Sequence, residues 1–196
     1  MSPGRLNALT DGVVAIVMTI MVLELKIPAE PSLKAVLAVL PLLAAYLLAF
    51  INVAIYWNNH HHMMQSARRV TGGVLWANHA LLFCLTLFPL VIRWIDDAGV
   101  TPWPLASFGI VLVAAAMSYD QLERALIRAE GGSESGVQKA LGSRMKEWMS
   151  ALLYAAAIPA AFVSPYISVA IYVGVSIMWI IPDRRFEREL FERSGR

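Results

Sequence analysis

Six apolar stretches, each bounded by charges or by Pro and Gly, divide the chain from end to end: Gly12 to Ile27, Ala35 to Trp57, Val74 to Ile95, Leu105 to Tyr119, Trp148 to Val163 and Ile167 to Ile181. A helix needs about 20 apolar residues to cross a bilayer. The second and third stretches reach that length alone, and the others reach it with their polar flanks. The 196 residues are 58% apolar and only 15% charged, with a mean hydropathy of +0.61. A soluble domain would be about half apolar and a quarter charged. The pattern predicts an all-α polytopic membrane protein. It is a single domain, 1–196, of six transmembrane helices at about 7–27, 35–57, 74–95, 104–126, 147–163 and 166–182. Trp57, Trp76, Trp94, Trp103, Trp148 and Trp179 all fall near the expected ends, at headgroup depth.

Lysine and arginine set the expected orientation. With the amino terminus in the cytoplasm, the inner side holds Arg5, Arg68, Arg69, Arg124, Arg128, Lys139, Arg144, Lys146, Arg184, Arg185, Arg188, Arg193 and Arg196, which is 13 of 16. Lys26, Lys34 and Arg93 remain outside. Positive charge gathers on the cytoplasmic side, so a multi-pass protein of the cell membrane with both termini cytoplasmic is expected. The net charge of +2 is spread over segment ends and forms no basic stripe, so a nucleic-acid partner is not expected. The polar run EGGSESG reads as a loop between the fourth and fifth helices. Phe186, Leu190 and Phe191 share one face of a tail expected to lie along the inner membrane surface.

The first stretch is unusual. Between Asp11 and Glu24 lie only twelve apolar residues, a rise of about 18 Å against a hydrocarbon core of about 30 Å. Acidic groups at both ends are tolerable where they meet protein or water, so this helix is expected to be central in the bundle. At 100° per residue, Leu9, Gly12, Ile16, Thr19, Ile20, Leu23 and Ile27 form one stripe within about 60° of Ile16. Asp11 points about 140° away from it, and Glu24 sits on its flank. Symmetry-related copies would stack apolar rings at Ile16 and Leu23 around a Thr19 ring, a dewetting constriction beside a hydroxyl layer. The same stripe is also ordinary helix packing, with Thr19 bonded back to a carbonyl one turn earlier. On these residues alone, packing is favoured over a pore. A signal peptide is disfavoured by Asp11 before the apolar run and by the lack of a small-x-small site after it.

The segment RLNALTDGVVAIVMTIMVLELKIP resembles the signature helix of the transmembrane protein 175 family of potassium channels. Its pattern is an Arg, then Phe-Ser-Asp, then an apolar helix ending in Leu-x-Leu/Ile and Pro. Arg5 matches the arginine, Leu9, Thr10 and Asp11 stand where Phe-Ser-Asp is usual, and Leu23, Leu25 and Pro28 match the end. AIYWNNHHHM is similar to the family's Trp-x-x-His-His through Trp57, His60 and His61. WANHALLFCLTLFPLVI is similar to its third helix through Asn78, Leu81, Leu82, Phe88 and Pro89. The resemblance implies a potassium-permeable cation channel without a TVGYG filter, a homotetramer whose pore is lined by the first helix. The family's constriction carries over onto Ile16, Thr19, Ile20 and Leu23. It also implies that Asp11 joins Arg5 with Trp57, His60 or Asn78 in a polar network. The simpler role for Asp11 is a helix N-cap, and both roles together are expected.

Other chemistries find little support. His60, His61 and His62 point about 100° apart on a helix and make a poor chelate, so no metal site is expected. His79 reads as a satisfied interfacial histidine. Cys84 is the one cysteine, which excludes an intramolecular disulfide. There is no catalytic constellation and no Gly-rich phosphate loop, the Thr71-Gly72-Gly73 string reading as a turn. An enzyme is therefore not expected, and no cofactor beyond permeant K+. The alternative is a secondary transporter or proton pathway, since intramembrane acids and histidines are common relay groups. Broken helices and internal repeats would accompany a transporter, and neither is evident.

Overall fold

The structure, a computed structural model, describes residues 2–26, 28–132 and 144–180. The tail residues Phe186, Leu190 and Phe191, the stripe residue Ile27 and most of the 129–147 connection lie outside them. The described residues form seven helices: α1 (Pro3–Leu23), α2 (Leu33–Gln65), α3 (Gly72–Thr86), α4 (Phe88–Ala98), α5 (Pro102–Ala129), α6 (Met145–Val163) and α7 (Pro165–Ile180). Pro89 in the first turn of α4 has no N–H for the ladder, so the third apolar stretch steps at Leu87. α3 and α4 still make one apolar span, Gly72–Ala98.

Among the described residues four spans are long and apolar enough to cross a membrane: Pro3–Leu23, Leu33–Gln65, Gly72–Ala98 and Pro102–Ala129. α2, with 33 residues, is about 50 Å long and outlasts a hydrocarbon core of about 30 Å. α7 is apolar but shorter. Local chemistry sets the ends. Ser32 caps α2 by accepting from the Ala35 N–H at 3.2 Å. Thr71, read from the sequence as part of a turn, caps α3 by accepting from Val74 N at 3.4 Å. Gly99, at φ 73°, stops α4 in a conformation that a side chain would resist, and Pro102 starts α5.

α5 is the hub. It packs on α3, α4, α6 and α7, and Leu105, Phe108, Leu112, Ala115, Tyr119, Leu122 and Leu126 repeat at alternating three- and four-residue steps along its buried side. At Gly109 it meets α6 and α7 so closely that an added Cβ would strike the Tyr172 hydroxyl and lie 2.9 Å from Ile158. α1 packs mainly on α2, α3 and α4. Within one chain, then, the central place expected for the first helix belongs to α5. The reason is that α1 buries a single narrow face, Leu6, Thr10, Val14, Val17 and Met21.

Ion pairs gather towards the two ends of the bundle. At one end Arg93 meets Glu24 at 3.5 Å, while Lys26 meets Asp96 at 3.3 Å and also Asp97. Towards the other, Asp120 pairs with Arg124 at 2.7 Å, and Arg144 reaches Asp120 and Glu123. There the Glu130 carboxylate also accepts from the N–H groups of Arg68 and Arg69, at 2.5 and 2.7 Å.

Candidate functional site

Two faces of α1 define the site. The face away from the bundle carries Leu9, Gly12, Ile16, Thr19, Ile20 and Leu23, all exposed in the single chain, with Ile16 at 57% and Leu23 at 80%. Val14, Val17 and Met21, roughly opposite, are buried. The Thr19 hydroxyl donates back to the carbonyls of Ala15 at 3.0 Å and Ile16 at 2.9 Å. Its single hydrogen is thereby engaged, which leaves oxygen lone pairs for the exposed side.

Behind the stripe, α1 is tied to α2 and α3 by polar side chains. Asp11 lies mid-helix, because α1 begins eight residues earlier at Pro3, so the N-cap position falls to Ser2. Its carboxylate instead accepts from Trp57 Nε1 at 2.8 Å and from Asn7 Nδ2 at 3.1 Å. Trp57 in turn stacks on His61, with ring centroids 5.8 Å apart, and His61 lies 2.9 Å from Gln65 Nε2. One step deeper, Thr10, His60 and Asn78 converge from α1, α2 and α3, each 1% exposed or less. Asn78 Nδ2 donates to Thr10 Oγ1 at 3.1 Å, and Thr10 donates to the Leu6 carbonyl at 3.1 Å. Asn78 Oδ1 faces His60 Nε2 at 2.9 Å, which assigns the imidazole proton to that nitrogen. His60 Nδ1 is buried without a partner among the described residues.

Two distinct clusters thus stand where a single network was expected. Asp11, Trp57 and His61 meet at the α1–α2 crossing, and Thr10, His60 and Asn78 meet among three helices. Arg5 joins neither. Its side chain is exposed and makes no ion pair among the described residues. Asn7 was missed, although a residue four before Asp11 shares its helix face and the spacing alone marks it. A further buried cluster was also missed. Asn52 Nδ2 donates to Ser176 Oγ at 3.0 Å, and Tyr154 Oη donates to Asn52 Oδ1 at 3.1 Å. These residues lie up to 124 positions apart, and single polar residues inside apolar runs give no signal of pairing at that range. Among the described residues no group of three or more His, Cys, Asp or Glu side chains could hold a metal ion.

The sequence profile of the family described as the endosomal/lysosomal potassium channel TMEM175 matches residues 5–89, which run from the first turn of α1 through α2 and α3 to the start of α4 and include both polar clusters. A potassium channel of Chryseobacterium sp. (strain P1-3) is 44% identical over 192 residues, spanning 98% of this chain and all of that one. A potassium channel of Streptomyces collinus is 27% identical over 177 residues, 85% of this chain and 86% of its own. The crystal structure of a lysosomal potassium-selective channel TMEM175 homolog from Chamaesiphon minutus has the same fold. Its TM-score is 0.80 at 22% identity, covering 91% of this chain and 96% of that one. The similarity therefore runs past α3 through nearly the whole chain, and the chain belongs to the TMEM175 family.

Proposed function

We propose that four copies of this chain assemble in the cell membrane into a potassium-permeable cation channel lined by α1. In this reading each chain crosses the membrane six times, α6 and α7 completing the four longer spans, and both termini face the cytoplasm. The observation that carries it is the exposed stripe of α1. Leu9, Ile16, Ile20 and Leu23 face away from their own bundle while the opposite side of the helix is packed. Lipid alone would leave the short apolar run unexplained, whereas fourfold packing gives it a use.

Ile16 and Leu23 form apolar rings that dewet or strip hydration without replacing it, so they set the barrier. The Thr19 oxygen, its hydrogen engaged one turn earlier, offers a ligand to a cation between those rings. Ile20 fills the wall beside it. The polar clusters lie away from the conducting path and hold α1 at a fixed rotation against α2 and α3. The relatives named as potassium channels support the choice of ion. No cofactor is required beyond the permeant ions.

The test is a liposome flux assay with matched protein incorporation. Ile16→Asn and Leu23→Ala should raise K+ flux, and Thr19→Val should lower the preference for K+ over Na+ while leaving assembly intact. Equal flux across wild type and all three variants would remove α1 from the pore wall. Cross-linking in mild detergent should reach tetramers; a ladder ending at dimers would refute the stoichiometry.

A further inference from the structure

α2, α5, α6 and α7 leave a cavity between them, near the end of the bundle where α2 finishes and α6 begins. Its wall includes Tyr56 from α2, Tyr119 from α5, Glu147 and Tyr154 from α6 and Trp179 from α7. The space open to water is about 40 Å³, a few times the roughly 10–15 Å³ that one water requires. α1 contributes nothing to it, so the cavity is separate from the proposed conducting path.

Three of the aromatic side chains have already committed their donors inside the protein. Tyr154 donates to Asn52 at 3.1 Å, Tyr56 to the Leu112 carbonyl at 3.4 Å, and Trp179 to Ser150 at 2.8 Å. Glu147 is the opposite case. Its Oε2 is buried with no hydrogen-bond partner among the described residues, although Arg144 and Lys146 lie near enough to act on its charge, and an unmatched carboxylate oxygen is costly. A wall of four aromatic rings with one unmatched acceptor calls for an occupant that is cationic and carries N–H donors. Aromatic faces attract such a group electrostatically, and a carboxylate gives it a charge-assisted hydrogen bond.

We infer that this cavity binds a primary ammonium group, R–CH2–NH3+, with Glu147 as counter-charge and Tyr56, Tyr119, Tyr154 and Trp179 as the cation–π wall. The ammonium comes either from a free amine or from the headgroup of an aminophospholipid. Both present the same chemistry at this depth in the bundle.

The experiment uses the purified full-length protein in phosphatidylglycerol nanodiscs, titrated with ethanolamine. Thermal midpoint and tryptophan fluorescence are the readouts, and ethylene glycol and KCl are the controls. Ethanolamine should give a saturable rise in midpoint that neither control reproduces. Glu147→Gln should weaken it about tenfold or more, and Tyr119→Leu, which keeps the charge, should weaken it by a smaller factor. Repeating the titration in phosphatidylethanolamine nanodiscs separates the sources. Loss of the ethanolamine response there identifies the lipid headgroup as the occupant, and an unchanged response identifies the free amine. No saturable response in phosphatidylglycerol, or full-strength binding by Glu147→Gln or by Tyr119→Leu, would overturn the assignment.

Discussion

α1 and α5 are both apolar helices long enough to span a membrane, yet they are used in opposite ways. In the most apolar stretch of α5, 56% of residues are buried within the chain, against 28% for α1, although α1 is the more apolar of the two. Hydropathy therefore reports the solvent of a helix and not its neighbours. α5 surrounds itself with its own chain and organises it. α1 packs one narrow face, fixes its rotation with Thr10 and Asp11, and leaves an ordered stripe for something outside the chain.

The sharpest way to break this contrast is to crowd the hub. Gly109→Leu would drive a side chain into Tyr172 and Ile158, and overpacking of a tight crossing costs about 1–3 kcal/mol or more. Little folded protein should survive size-exclusion chromatography. Normal yield would mean that α5 packs less closely than described.

The next effect falls on the anchoring of α1. Asp11→Ala strips Trp57 and Asn7 of their acceptor, at about 1–3 kcal/mol. The expected result is loss of assembly in detergent, without a change in ion preference. A well-assembled Asp11→Ala channel with altered selectivity would place Asp11 in the conducting path and make the two faces of α1 interchangeable.

Smaller again is the difference between those faces. Val17→Ala and Met21→Ala remove buried contacts and should lower the thermal midpoint. Ile16→Ala, on the exposed side, should shift it less and should act on flux instead. The smallest effect concerns the tether of α1 to α4. Arg93→Gln breaks exposed pairs with Glu24 and Asp97, which are worth at most about 1 kcal/mol and are screened by salt. Any shift should disappear at high ionic strength.

Much of this contrast was legible in the residues. The stripe of α1 follows from 3.6-residue periodicity, and in the single chain Val17 and Met21 point to the opposite side. What periodicity could not supply was the centre of the bundle. The short run between Asp11 and Glu24 suggested a helix shielded by protein on all sides. The chain itself does not provide that shield, and a sequence carries no mark of which surfaces meet something outside the chain. The N-cap reading of Asp11 failed on a boundary. Ser2 and Pro3 start the helix earlier, and the first two turns are polar enough to pass for a leader. Trp57 and Trp179 were read as headgroup anchors, but their N–H groups are bonded to Asp11 and Ser150. Amphipathic rings suit a helix crossing as well as an interface. The step between α3 and α4 was present as Pro89, seen as part of a motif and not as a break.

The central claim is that the exposed face of α1 meets water and permeant ions, and thiol accessibility tests it most directly. In a Cys84→Ser background, single cysteines at Ile16, Thr19, Leu23, Val17 and Met21 would be reconstituted into liposomes. K+ flux is then followed while a water-soluble, thiol-reactive cation is added. The account predicts block at positions 16, 19 and 23 and none at 17 and 21. Block confined to 17 and 21, or absent from all five in channels that conduct, would contradict it.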